Sequence, residues 1–148
     1  MNEYNIMILD DDEEGTALLA ASLEEAGLPR IETASDPEEA LSRFHTRKYH
    51  VLLVDMDMQK LDGLEILRFV RQYDPMTQVI MMTERSTIDR ALACLELGAS
   101  DYVLKPFRSD DEIMESVADA IRRLERWKGV IRETVLRLSD SSALSHPN

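Results

Sequence analysis

Val51-Leu52-Leu53-Val54 is an unbroken apolar run that stops at Asp55, after which the chain turns through Met58-Gln59-Lys60-Leu61-Asp62-Gly63. A run of β-branched residues and leucine without polar alternation reads as a strand covered on both faces, the condition of a strand inside a parallel sheet. Ligand sites in such sheets lie at the carboxyl ends of the strands, where Asp55 stands. An isolated Asp at that place could equally begin a turn. The weight therefore falls on how the other strands end.

Short apolar runs alternate with amphipathic stretches through the first hundred residues, the pattern of repeated βα units. Strands are predicted at residues 5–9, 31–34, 51–54, 78–82 and 101–104. Helical spacing covers residues 14–26, 37–46, 63–73 and 87–97. Gly27 and Gly98 follow the first and fourth helices as stops, and Asp36-Pro37 supplies an N-cap followed by a first-turn proline. The expected fold is α/β, a doubly wound five-stranded parallel sheet with helices on both faces. The strand order 2-1-3-4-5 is taken by analogy with common sheets of this kind.

With 148 residues, one such domain plus an appendage is the expectation. Apolar residues make up 44% and charged residues 31%, a globular profile. The single cysteine, Cys94, excludes a disulfide framework or a cysteine metal site and fits a reducing compartment. No stretch approaches the roughly 18 apolar residues of a membrane span. The first residues, Met1-Asn2-Glu3-Tyr4-Asn5, lack the basic start of a secretion signal, so a cytoplasmic location is expected.

A net charge of −12 argues against direct nucleic-acid binding by this chain. The charge is unevenly placed, however, because Arg122 to Arg137 holds six basic side chains and two acidic ones. Val117, Ala120, Leu124, Trp127, Ile131, Thr134 and Leu138 recur there as a heptad seam. The seam would pair with a second copy of the chain or dock back onto its own domain. Thr134 is polar within it, and Gly129 costs about 1 kcal/mol relative to alanine. The expected organisation is a domain over residues 1–125, a helical extension over 126–138 that serves as a coiled-coil linker, and a disordered tail over 139–148.

The first strand runs into Asp10-Asp11-Asp12-Glu13-Glu14. Glu13 and Glu14 suit the first turn of the next helix, where its dipole favours negative charge. That leaves the aspartates at the strand end beside Asp55. Carboxylates gathered at one rim are what a hard divalent cation, Mg²⁺ or Mn²⁺, uses. The fourth strand ends in Thr83 and the fifth in Lys105-Pro106-Phe107. A carboxylate nucleophile, a cation site, a hydroxyl and a lysine are the parts that phosphoryl transfer to an aspartate requires.

These residues, with Asp62-Gly63 and Gly98-Ala99-Ser100-Asp101-Tyr102, resemble the response-regulator receiver domain of two-component signalling, a flavodoxin-like phosphoacceptor domain. The resemblance covers about residues 3–125. It implies that Asp55 is the phosphoacceptor and that Mg²⁺ is held by Asp10, Asp11, Asp55 and the backbone carbonyl of Asp57. Thr83 and Lys105 would bind the phosphoryl oxygens, and Tyr102 would move with Thr83 as a switch. A strand ending at Leu9 makes Asp10-Asp11 the acidic pair, whereas a one-residue slip makes it Asp11-Asp12. The implied phosphodonor is a sensor histidine kinase or phosphotransfer protein. The implied output surface, and one route to a homodimer, is the fourth helix, fifth strand and fifth helix; the C-terminal helix is the other route. The chain would be a switch with self-catalysed phosphotransfer and autodephosphorylation, not an enzyme.

Three departures from the family's usual pattern carry expectations. Gln59 stands where proline is common, which would loosen the loop after the acceptor. Glu84 replaces a small residue after Thr83 and would make the entrance narrower and more negative. Asp57 is expected to pair with Arg85 across the site mouth and to slow dephosphorylation. Two rival readings remain at this level. One is a receiver fold used only as an unphosphorylated binding module. The other is a haloacid-dehalogenase-type phosphatase, suggested by Asp55-Met56-Asp57, which would need a second carboxylate cluster downstream.

Overall fold

The computed structural model describes residues 3–144. Strands β1 (Ile6–Leu9), β2 (Ile31–Ala34), β3 (Val51–Asp55), β4 (Gln78–Thr83) and β5 (Asp101–Leu104) form one parallel sheet in the order β2-β1-β3-β4-β5. Helices α1 (Glu13–Glu25), α2 (Pro37–Arg43), α3 (Gly63–Tyr73), α4 (Ile88–Glu96) and α5 (Asp110–Leu144) connect and follow the strands. The expected fold class and strand order are those observed.

Every residue of β1, β3 and β4 is buried, which is why their sequences show apolar runs without alternation. One face packs Ile6, Ile8, Leu53 and Ile80 against Leu23 of α1 and Val117 and Leu124 of α5. The other packs Met7, Leu52, Val54 and Val79 against Ile66, Leu67 and Val70 of α3 and Cys94 of α4. The edge strands β2 and β5 are only partly buried, with Glu32 and Asp101 among their exposed or half-exposed residues.

Helix starts are set by side chains that follow the strand ends. Asp12, Asp36, Asp62 and Thr87 each accept a hydrogen bond from an amide of the first turn of α1, α2, α3 and α4. Gly98 closes α4 at φ 86°, a left-handed conformation that glycine adopts without strain. Gly63, first in α3, is needed for a different reason: a Cβ there would lie 2.8 Å from the Cα of Met56. Gly63→Ala is therefore expected to destabilise the domain by about 2 kcal/mol, read as a lower urea midpoint at unchanged slope.

The expected seam divides along α5. Val117, Ala120 and Leu124 are buried against the chain's own sheet, whereas Trp127, Ile131 and Leu138 are 52%, 49% and 65% exposed. Full burial of the seam thus ends at Leu124, although Lys128 still lies over the Tyr4 ring, its Nζ 4.9 Å from the centroid. Thr134 turns its hydroxyl to the Val130 carbonyl at 2.7 Å. The helix continues to Leu144, so residues 139–144 are helical where a disordered tail is expected; extending an existing helix avoids the cost of nucleation. Residues 145–148 of that expected tail lie outside the described residues. No helix among the described residues is long and apolar enough to cross a membrane.

Candidate functional site

Sheet register brings four strand ends to one rim. Leu9 pairs with Val54, Asp55 with Met82 and Thr83 with Leu104, so Asp10, Asp55, Thr83 and Lys105 arrive side by side. The two buried acids repeat one local motif. Asp10 Oδ1 accepts from the Asp12 amide at 3.0 Å, and Asp55 Oδ1 accepts from the Asp57 amide at 3.1 Å. Each acid's other oxygen meets Lys105, whose Nζ is 2.5 Å from Asp10 Oδ2 and 3.9 Å from Asp55 Oδ2.

Asp12 is committed elsewhere, since its Oδ1 caps α1 by accepting from the Gly15 amide at 3.1 Å. Ligand oxygens of Asp10, Asp11 and Asp55 lie within 4.8 Å of one another, and no other such acidic or histidine-cysteine group occurs among the described residues. Asp11 is exposed, and its Oδ2 accepts from the Gln59 amide at 3.4 Å. The residue expected to loosen the loop thus supplies a donor that proline lacks.

Burial pushes the Asp55 carboxyl up to about 6; the Asp57 amide and Lys105 oppose this, and the charge of Asp10 adds to it. Burial also disfavours the charged form of Lys105, but its hydrogen bond and attraction to Asp10, with Asp55 behind, hold the ammonium above its ordinary range. Three crowded carboxylates with one lysine fit a hard divalent cation by donor type, proximity and unneutralised charge.

Thr83 is fully buried, and its Oγ1 donates to Asp57 Oδ2 at 2.8 Å rather than to Asp55. The Glu84 amide donates to the same oxygen at 3.1 Å. Glu84 lines one cleft with Asp10, Asp12 and Lys105. Tyr102 is half-buried, and its hydroxyl donates to Ser86 Oγ at 2.9 Å, tying β5 to the loop before α4.

The expected Asp57–Arg85 ion pair is not formed. Arg85 has an exposed side chain, while its amide donates to Thr83 Oγ1 at 3.0 Å. Asp57 pairs instead with Arg90, Nη2 to Oδ1 at 2.9 Å, and Arg90 Nη1 donates to the Arg85 carbonyl at 3.0 Å. Burial works against the charged form of Asp57, but hydrogen bonds from Thr83, Arg90 and the Glu84 amide outweigh it and hold the carboxyl below its ordinary range. The sequence reading missed Arg90, although a signal was present. A cation in the first turn of a helix opposes the helix dipole, so an arginine there implies an acidic partner.

The chain matches the model of the response regulator receiver domain over residues 6–118. It is 40% identical over 121 residues to the alkaline phosphatase synthesis transcriptional regulatory protein PhoP of Bacillus subtilis, covering 81% of this chain and 49% of that protein. It is 28% identical over 132 residues to the transcriptional regulatory protein ZraR of Klebsiella oxytoca, covering 89% of this chain and 29% of that one. The chain thus spans about half or less of the length of these curated relatives. Among solved structures, the beryllofluoride-activated NtrC4 receiver domain dimer aligns with a TM-score of 0.76 at 28% identity, over 81% of this chain and 98% of that one. A phosphatase reading would require a carboxylate cluster downstream of Asp55, whereas the acidic group described above has its other members upstream. The sheet order, the acid, hydroxyl and lysine at one rim, and the family match agree: this chain belongs to the response regulator receiver domain family.

Proposed function

We propose that the chain is a phosphorylation-controlled switch in which Asp55 accepts a phosphoryl group from a sensor histidine kinase or a phosphotransfer protein. The observation that carries this reading is the convergence of Asp10, Asp11, Asp55 and Lys105 at one strand rim. An Asp55 carboxylate oxygen attacks the phosphorus of a phosphohistidine in line, the P–N bond breaks, and the electron pair leaves with the imidazole. Lys105 balances charge on the transferred oxygens. Asp10, Asp11, Asp55 and the Asp57 carbonyl would hold Mg²⁺ or Mn²⁺, which would supply the remaining positive charge. Water later hydrolyses the acyl phosphate, and the chain acts on no other substrate.

Thr83 then turns its hydroxyl to the phosphoryl group, and Tyr102 leaves Ser86 for the space vacated. The surface altered is that of α4, β5 and α5, where Ile88, Leu92, Leu95 and Leu104 are exposed and fit an apolar partner surface. A second copy of the chain is one such partner, through this face or through α5 beyond Leu124. The switch works in the cytoplasm, where kinases of this kind present their phosphohistidine.

Beryllofluoride with Mg²⁺ tests the reading. Wild type should show a saturable change in amide spectra at α4 and β5, and Asp55→Asn should show none. An equal response in Asp55→Asn, or no response in wild type, would favour the unphosphorylated binding module.

A further inference from the structure

Asp57 is surrounded by donors from one side of the site. Arg90 takes Oδ1, while Thr83 Oγ1 and the Glu84 amide share Oδ2. Arg90 also holds the Arg85 carbonyl, and its own amide is capped by Thr87 Oγ1 at 3.1 Å. One guanidinium therefore ties together the loop after β3, the loop after β4 and the first turn of α4. The other anchors of that helix lie toward its C-terminal end, at Cys94 and at half-buried Leu97 of the C-cap. Of its nine residues only Cys94 is buried.

The Thr83 hydroxyl has one proton to donate. In this structure the proton goes to Asp57, and a phosphoryl group on Asp55 would need the same proton. The two acceptors compete, and Arg90 is on the side of Asp57 because it fixes the carboxylate with Oδ2 turned toward Thr83. Asp57 lies near the surface, with 20% of its side chain exposed, so without Arg90 it can rotate into water.

We propose that Arg90 is a positioning residue: its pair with Asp57 is a latch that holds Thr83 away from Asp55 and α4 against the domain in the unphosphorylated state. This rests on the phosphoacceptor reading. A ligand that needs Thr83 must work against the latch, so opening it should tighten that ligand's binding by the share of stability the pair gives to the latched state. For a partly exposed ion pair that share corresponds to about three- to fivefold in affinity.

The test is beryllofluoride affinity at saturating Mg²⁺ in wild type, Arg90→Met, Arg90→Lys, Asp57→Ala, the Arg90→Met/Asp57→Ala pair and Asp55→Asn. Arg90→Met should bind about three- to fivefold tighter, and Arg90→Lys should lie between it and wild type. Arg90→Met should add nothing in the Asp57→Ala background. Removing a positive charge from an anion site would by itself weaken binding, so tightening separates the latch from simple electrostatics. In the metal-free protein, amide exchange in the first turn of α4 should quicken in Arg90→Met.

Unchanged or weaker beryllofluoride binding in Arg90→Met, with wild type binding and Asp55→Asn silent, overturns the latch alone. If Arg90→Met does not fold, the lysine variant and Asp57→Ala decide by the same criterion. If wild type does not bind, or Asp55→Asn binds equally, the phosphoacceptor reading fails and the latch with it.

Discussion

Lys105→Met is expected to lower the free energy of unfolding at neutral pH by about 3 kcal/mol, because it leaves two neighbouring buried carboxylates without their shared cation. The side chains of Lys105, Asp10 and Asp55 are only 17%, 6% and 10% exposed, so water recovers little of the lost interaction. The sign with pH follows from the direction of each group. Lys105 is held above its ordinary range, so its contribution is fully present below the unfolded-state value of about 10.4 and does not vary near neutrality in the wild type. In the variant the two acids repel unopposed, so lowering the pH from about 7 to about 5 should restore part of the loss as Asp55, already pushed up to about 6, takes up a proton. Urea denaturation across that range checks this. A loss at neutral pH below about 1 kcal/mol would mean the ammonium does not compensate the acids as its geometry implies.

Asp55→Asn should have the opposite effect on the metal-free protein. Asp55 is pushed up to about 6 from an ordinary 3.8, so between those values the folded state binds more protons than the unfolded state. Folding is therefore penalised above pH 6 by the cost of keeping Asp55 ionised, and the penalty fades as pH falls through 6 toward 4. Removing the charge should stabilise the metal-free protein by about 2 kcal/mol at neutral pH and by much less below pH about 4. Saturating Mg²⁺ should reverse the ranking, because the wild type gains binding energy that the asparagine cannot match. Thermal unfolding of both proteins, with and without Mg²⁺, measures each step.

The sheet could be read from the amino acids because β1, β3 and β4 are buried on both faces and their burial demands unbroken apolar runs. The strand ends could be read for a related reason. Asp10 follows such a run directly, Asp55 and Thr83 close two others, Lys105 follows the partly buried edge strand β5, and a parallel sheet carries those ends to the same rim. Arg90 escaped that logic. It lies in a helix, its partner is 33 residues away, and the pairing depends on how the β4–α4 loop turns the Arg85 side chain outward and its backbone inward. The extension of α5 was harder still. Local propensity decides little at Ser139 and beyond, and continuity with the preceding helix decides the outcome.

Phosphorylation at Asp55 is tested most directly by intact-mass analysis after incubation with acetyl phosphate and Mg²⁺. The wild type should gain the mass of one phosphoryl group, lose it on treatment with hydroxylamine, and gain nothing when Mg²⁺ is withheld; Asp55→Asn should gain nothing in any condition. Equal phosphorylation of Asp55→Asn would place the acceptor elsewhere and contradict the role assigned to the strand end at Asp55.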